Sequence, residues 1–153
     1  MAEPPPSRYE AGSSAETARH ALEAWLSPDI GRRLELVRLI RDGFSLGLVG
    51  ALARQTGVRL EELAEFDIIP RRTLAHSRQN ERFTATQSAR LARFFRVQQK
   101  ARHTFGSEEK AMQWLKRSTR PLNDNAPVAL LDTDEGARLV EDLLTRIDHG
   151  IAA

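Results

Sequence analysis

The stretch LEELAEFDIIPRRTLAHSR, residues 60–78, reads as two short helices broken near Asp67 to Pro70. Leu63, Ala64, Ile69 and Leu74 are the apolar positions that can pack the pair together. Packing through those four leaves Arg71, Arg72, Thr73, His76, Ser77 and Arg78 free on the second helix. A first helix that braces on a nucleic-acid backbone, a tight turn, and a second helix whose early residues reach base edges make up the helix-turn-helix layout. Arginine forks match the paired acceptors of guanine, and the hydroxyls of Thr73 and Ser77 can donate to phosphates or bases. Those six residues are therefore the candidate DNA contacts. A solvated cationic face over a core helix pair is the plainer alternative.

Helical spacing continues on both sides. Upstream, ETARHALEAWL (16–26) is amphipathic, and SPDIGRRLELVRLIRDG (27–43) is a helix with Pro28 behind Ser27 at its start and Gly43 at its stop. LGLVGALARQTG (46–57) carries Leu48, Ala51 and Leu52 at helical spacing and closes on Gly57. Downstream, Thr84 and Gln87 form a capping box opening a helix whose Leu91, Phe94, Phe95, Gln98, Ala101 and Phe105 run as one stripe to Gly106. SEEKAMQWLKR (107–117) follows, with Glu108 and Glu109 where the helix dipole favours anions. RPLNDNAPVALL (120–131) is a proline-bounded loop, and DTDEGARLVEDLLTRIDHG (132–150) is a last helix with Asp132 and Glu135 as its capping box. No alternating strand of useful length appears, so the expected fold is all-α. Residues 1–15, rich in Pro and Ser, should be disordered. Residues 16–105 should form N-terminal helices and the helix-turn-helix domain, and 106–153 a small helical domain.

The charge distribution is more informative than the net charge of +2. From Arg71 to His103 nine cations face one anion, Glu81, whereas from Pro121 to Ala153 seven anions face two cations. Such separation suggests a middle that meets a polyanion and an end that does something else. No apolar run approaches the roughly 18 residues of a membrane span, and the N-terminus has neither the cationic start nor the apolar stretch of a secretory signal. A cytoplasmic protein is expected. With 0 cysteines there is neither a disulfide framework nor a thiolate nucleophile. His20, His76, His103 and His149 lie far apart with no second ligand at metal spacing, so no metal or other cofactor is expected. Asp132, Asp134 and Glu135 could be an acid–base pair, but helix starts recruit the same residues. No phosphate loop or serine nucleophile motif is present, and Trp25 and Trp114 are most simply core or interface anchors. An enzyme is not expected.

The break-containing stretch resembles the Xre-type helix-turn-helix repressors, whose LAxxxGVSRxTIS core it follows in Leu63, Ala64, Ile69, Arg71, Thr73 and Leu74. It departs at Ile68, where those repressors usually have the turn glycine. From about Asp42 to Gly150 the chain resembles the antitoxin family of the Xre, MbcA and ParS type. The landmarks are RTL at Arg72 to Leu74, TQSARLARF at Thr86 to Phe94, ARHTFG at Ala101 to Gly106, AMQWL at Ala111 to Leu115, APVALLDTDEGARLVEDLL at Ala126 to Leu144, and RIDHG ending at Gly150. Each is weak alone; their order and spacing are specific. The family usually has a glycine pair in the loop that here reads NDNAP. The resemblance implies a C-terminal toxin-binding domain and a partner: a RES-class toxin that depletes NAD, encoded beside the antitoxin. It further implies binding to operator DNA of its own promoter as an autorepressor, as a homodimer within a larger toxin–antitoxin complex.

Leu139, Val140, Leu143, Leu144 and Ile147 make a broad apolar stripe on the last helix, wide enough to serve an intramolecular core and to offer contact to a partner. His149, Gly150, Ile151, Ala152 and Ala153 form a small, greasy terminus that a partner could order into a plug. Arg138, Leu144, Ile147, His149, Gly150 and Ile151 are the candidate toxin contacts. A core helix with a loose end is the reading from composition alone. The alternative function is a stand-alone dimeric regulator without a toxin, and Leu34, Leu36, Val37, Leu39 and Ile40 could supply a dimer contact in either case.

Overall fold

The computed structural model describes residues 13–151, the side chains of residues 78–80 excepted. It contains eight α-helices: α1 (Ser14–Trp25), α2 (Ile30–Asp42), α3 (Leu46–Thr56), α4 (Leu60–Glu65), α5 (Arg71–Asn80), α6 (Ala85–Phe105), α7 (Glu108–Lys116) and α8 (Asp134–Asp148). Short 3-10 turns at Arg120–Leu122 and Pro127–Leu130 interrupt the loop before α8. Among the described residues β-structure is limited to two isolated bridges, Ser45 to Arg82 and Thr119 to Asn125. The fold is all-α.

Residues 1–12 of the segment expected to be disordered lie outside the described residues. Its last positions are ordered, because the Ser13 hydroxyl accepts the Glu16 amide at 3.2 Å and starts α1 at Ser14. α2 begins later than Ser27 and Pro28 suggest: Asp29 is the cap, accepting from the Arg32 amide at 2.8 Å, while Ser27 accepts from Asp29 itself. α8 also starts one residue later than the expected box, since the Thr133 hydroxyl accepts from the Gly136 amide at 3.0 Å and displaces Asp132 from the cap position. The Thr84–Gln87 box forms reciprocally, at 3.1 and 2.9 Å.

α6 is the spine. At 21 residues it is roughly 30 Å long, and it packs against α1, α2 and α3 on one side and α7 and α8 on the other. Its Leu91, Phe94, Phe95, Val97 and Ala101 are fully buried. Phe94 meets Phe95 edge-on at 5.3 Å and stacks on Phe66 at 6.2 Å. One hydrophobic cluster extends from Ala18 on α1 to Leu144 on α8, so packing is continuous across the boundary expected at 105 and 106. Two glycines permit close approaches within it. A Cβ on Gly43, at φ +86°, would lie 2.3 Å from the Phe83 carbonyl oxygen. One on Gly136 would lie 1.8 Å from the Leu130 oxygen, which is how the start of α8 seats on the preceding turn.

Candidate functional site

The helix-turn-helix geometry begins with a buried carboxylate. Glu62 on α4 is held by the Arg59 guanidinium at 2.9 Å and by Lys116 on α7 at 3.2 Å. The hydrogen bond to Glu62 and the attraction of its carboxylate raise the Arg59 guanidinium pKa. Lys116 also lies 5.7 Å over the Phe66 ring. These contacts fix α4 to the C-terminal part of the fold. The amides of Ile68 and Ile69 then both donate to the Leu63 carbonyl, at 3.0 and 3.1 Å, and turn the chain towards α5.

The residue in left-handed conformation in this turn is Asp67, at φ +56°. Aspartate tolerates that region through local side-chain hydrogen bonding. Ile68 therefore needs no glycine-like freedom and fills the core. The same substitution of means appears in the NDNAP loop, where Asn123 and Asp124 take φ +58° and +61°.

α5 starts behind Pro70, which provides no capping side chain. No side chain therefore caps the first amides of α5, the kind of helix start that suits an anionic acceptor. Arg71, Arg72 and His76 are exposed and Thr73 is half-buried. Ser77 is only 2% exposed and leaves the candidate set. It sits three residues after Leu74 on the inward face, where its small hydroxyl side chain packs. The side chain of Arg78 lies outside the described residues. Ala75, which sequence reasoning missed, is exposed one helical turn from Arg71 and could meet a thymine methyl. Its signal was the i, i+4 spacing alone.

The basic middle of the chain is not one surface. Arg93 bonds Asp134 at 3.0 Å and donates to the carbonyls of Leu131 and Asp132. Arg96 pairs with Glu141 at 2.6 Å, Lys100 donates to the Thr145 hydroxyl at 2.5 Å, and Arg102 lies 3.5 Å from Glu108. Arg82 donates to the Gly43 carbonyl at 2.6 Å. Much of the separation of charge in the sequence is therefore satisfied within the fold, where one face of α6 clamps α8. Arg71, Arg72 and Arg90 remain exposed.

At the far end, Arg138 is exposed and 3.5 Å from Glu135. Leu144 is fully buried and leaves the toxin-contact set, because it belongs with Val140 and Leu143 on the face that packs onto the core. Ile147 is half-buried against the same core. His149, Gly150 and Ile151 are exposed, and the Ile151 amide donates to the Arg146 carbonyl at 2.9 Å, which places Ile151 against the last turn of α8. Leu139, the first residue of the apolar stripe expected on this helix, faces solvent at 55% exposure, whereas Val140, Leu143 and Leu144 of the same stripe are buried. Among the described residues no His, Cys, Asp and Glu cluster could hold a metal, and no helix is long and apolar enough to cross a membrane.

Comparison with known proteins agrees with this layout. Residues 35–96 match the antitoxin Xre-like helix-turn-helix domain, and residues 100–150 match the antitoxin Xre/MbcA/ParS C-terminal toxin-binding domain. The chain is 33% identical to an antitoxin Xre of Yersinia enterocolitica over 88% of its own length and 93% of that protein's. It is 31% identical to an antitoxin Xre of Pseudomonas putida over 86% of its length and 83% of that protein's. Against an antitoxin Xre of Photorhabdus laumondii identity rises to 47%, over 47% of this chain and 49% of the relative. The chain belongs to the Xre family of antitoxins, regulatory proteins rather than enzymes, with a DNA-binding helix-turn-helix and a toxin-binding domain built around one shared helix.

Proposed function

We propose that this antitoxin neutralises a RES-type, NAD-degrading toxin by placing its C-terminal end over the toxin's active site, and that as a homodimer it represses its own promoter through α5. The observation that carries the first half is the exposed stretch His149, Gly150 and Ile151, held against the last turn of α8. A short exposed end on a rigid helix can enter a pocket while the body of the domain supplies contact area. The second half rests on α5, where Arg71, Arg72, Thr73 and His76 surround an uncapped helix start. Guanidinium groups and free amides suit phosphates and guanine edges. Arg78 stays a proposed contact by its position on α5.

The test pairs two assays on the full chain. The purified toxin encoded in the neighbouring reading frame should lose NAD hydrolysis when the antitoxin is added, and the antitoxin's own promoter DNA should be retarded in a mobility-shift titration at low salt. A neighbour that does not consume NAD, or promoter DNA that migrates freely at every concentration, would refute the corresponding half.

A further inference from the structure

We propose that the corner between α1 and α2 is the second wall of the toxin-docking groove and receives an acidic amphipathic segment of the toxin, an inference that rests on the toxin-binding role proposed above. The matched toxin-binding segment, residues 100–150, does not include this corner.

Large hydrophobic side chains are exposed at six described positions, and four of them, Leu26, Ile30, Leu34 and Val37, fall within twelve residues. Ile30, Leu34 and Val37 are spaced i, i+4, i+7 and share one face of α2, with exposures of 74%, 57% and 39%. Of the apolar residues on α2 only Leu36 is fully buried. A contiguous apolar stripe of this kind marks an interaction surface rather than incidental exposure. Arg33 and Arg38 flank the stripe and Arg41 continues it by one turn, all three exposed.

Beside this stripe a groove of about 830 Å³ separates the corner from α8, with α6 as its floor. Trp25, Leu26 and Pro28 form the apolar wall. The acids of the opposite wall, Asp134 and Glu141, are already tied to Arg93 and Arg96. The cations are less well matched: Lys100 donates to a neutral hydroxyl on Thr145, Arg33 projects from α2, and Arg138 has only the exposed Glu135 at 3.5 Å. Asp148 is the remaining acid of the groove. An apolar wall with surplus cations across from it fits a segment that is apolar on one side and acidic on the other.

A second copy of this chain fits poorly. Antiparallel two-fold pairing of α2 with itself about the middle of the stripe would set Arg33 of each copy against Arg38 of the other, and like charges in apposition cost several kcal/mol. The face is also small for the purpose. A helix of 13 residues is about 20 Å long and about 10 Å across, roughly 200 Å² of footprint against roughly 800 Å² per partner in a stable interface. A partner that covers the stripe and also enters the groove towards Arg138 meets more of the surface.

The experiment uses full-length antitoxin, the purified toxin from the neighbouring reading frame, and two variants: Ile30→Glu with Leu34→Glu, and Arg33→Glu alone. All three positions are exposed, so circular dichroism and the thermal midpoint should match the wild type. Calorimetric titration should show the double variant binding toxin at least about tenfold more weakly, as expected for loss of an apolar anchor. Arg33→Glu should weaken binding, and raised salt should reduce wild-type affinity more than that of Arg33→Glu. Light scattering should give the free antitoxin the same mass with and without the substitutions. Unchanged toxin affinity in the double variant overturns the proposal. So does a fall in antitoxin mass, which would assign the stripe to a second copy. If the wild type itself does not bind the toxin, the toxin-binding role fails first and this inference falls with it.

Discussion

Replacing Arg71 and Arg72 by alanine, set against replacing Arg93 and Arg96, separates the two uses to which this chain puts its arginines. In the first pair both side chains are exposed. If each contacts a base, the double variant should lose about 1 to 3 kcal/mol per contact in operator binding, or about 2 to 6 kcal/mol in all. If each contacts a phosphate, the slope of log affinity against log salt should become shallower by about 0.9 per residue, so by about 1.8. Its thermal midpoint should not move, because neither residue supports the core. The second pair ties α6 to α8: the Arg93 side chain is 15% exposed with three hydrogen bonds, and the Arg96–Glu141 pair is 39% and 22% exposed. Half-exposed ion pairs contribute up to about 1 kcal/mol, and the charge-assisted bonds of Arg93 add to that, for a total of about 1 to 3 kcal/mol. For a chain of this size that lowers the midpoint by roughly 2 to 4 °C per kcal/mol. Promoter binding measured by fluorescence anisotropy from low to moderate salt, with thermal melts beside it, reads both effects. Should Arg93→Ala with Arg96→Ala flatten the salt slope as much as the Arg71 and Arg72 pair does, the division of the basic residues into DNA contacts and internal struts is wrong.

Deleting residues 149–153 should abolish inhibition of NAD hydrolysis by the proposed toxin while leaving the circular dichroism spectrum intact, since a terminal segment contributes little to stability; a truncated protein that inhibits fully would refute the plug. Gly136→Ala should cost about 1 to 3 kcal/mol from the overlap with the Leu130 carbonyl, read as a lower midpoint in urea. Phe94→Ala, at a fully buried position on α6, should cost about 3 to 5 kcal/mol and weaken promoter binding and toxin neutralisation together. Loss of only one of the two activities in that variant would mean that the halves of the chain fold independently.

Most helix starts and stops could be read from the sequence because they are local chemistry. Thr84 with Gln87, Ser107, Gly57 and Gly106 satisfy backbone groups within four residues of themselves. Two of the expected starts shifted for the same local reason. Asp29 stands closer to the helix than Ser27, and Thr133 stands closer than Asp132, and in each case the nearer side chain reached the free amide.

The order of helices, the break at Asp67 to Pro70 and the exposed arginines at the start of α5 were thus determined by the sequence alone, because periodicity, caps and breakers act over one or two turns. Which faces meet was decided by the tertiary structure. Ser77 and Leu144 each stand on a helix with both a buried and an open side, and burial assigned them to the closed one. The acidic end and the basic middle look like two separate surfaces along the chain, yet α6 and α8 lie side by side and neutralise Arg93 and Arg96 against residues 41 and 45 positions away. Pairings over such separations depend on how the whole core closes around α6, and no local pattern encodes that. The same closure split the α2 positions offered as a dimer contact: Leu36 is buried and Leu39 and Ile40 pack against the core, while Leu34 and Val37 stay uncovered beside Ile30.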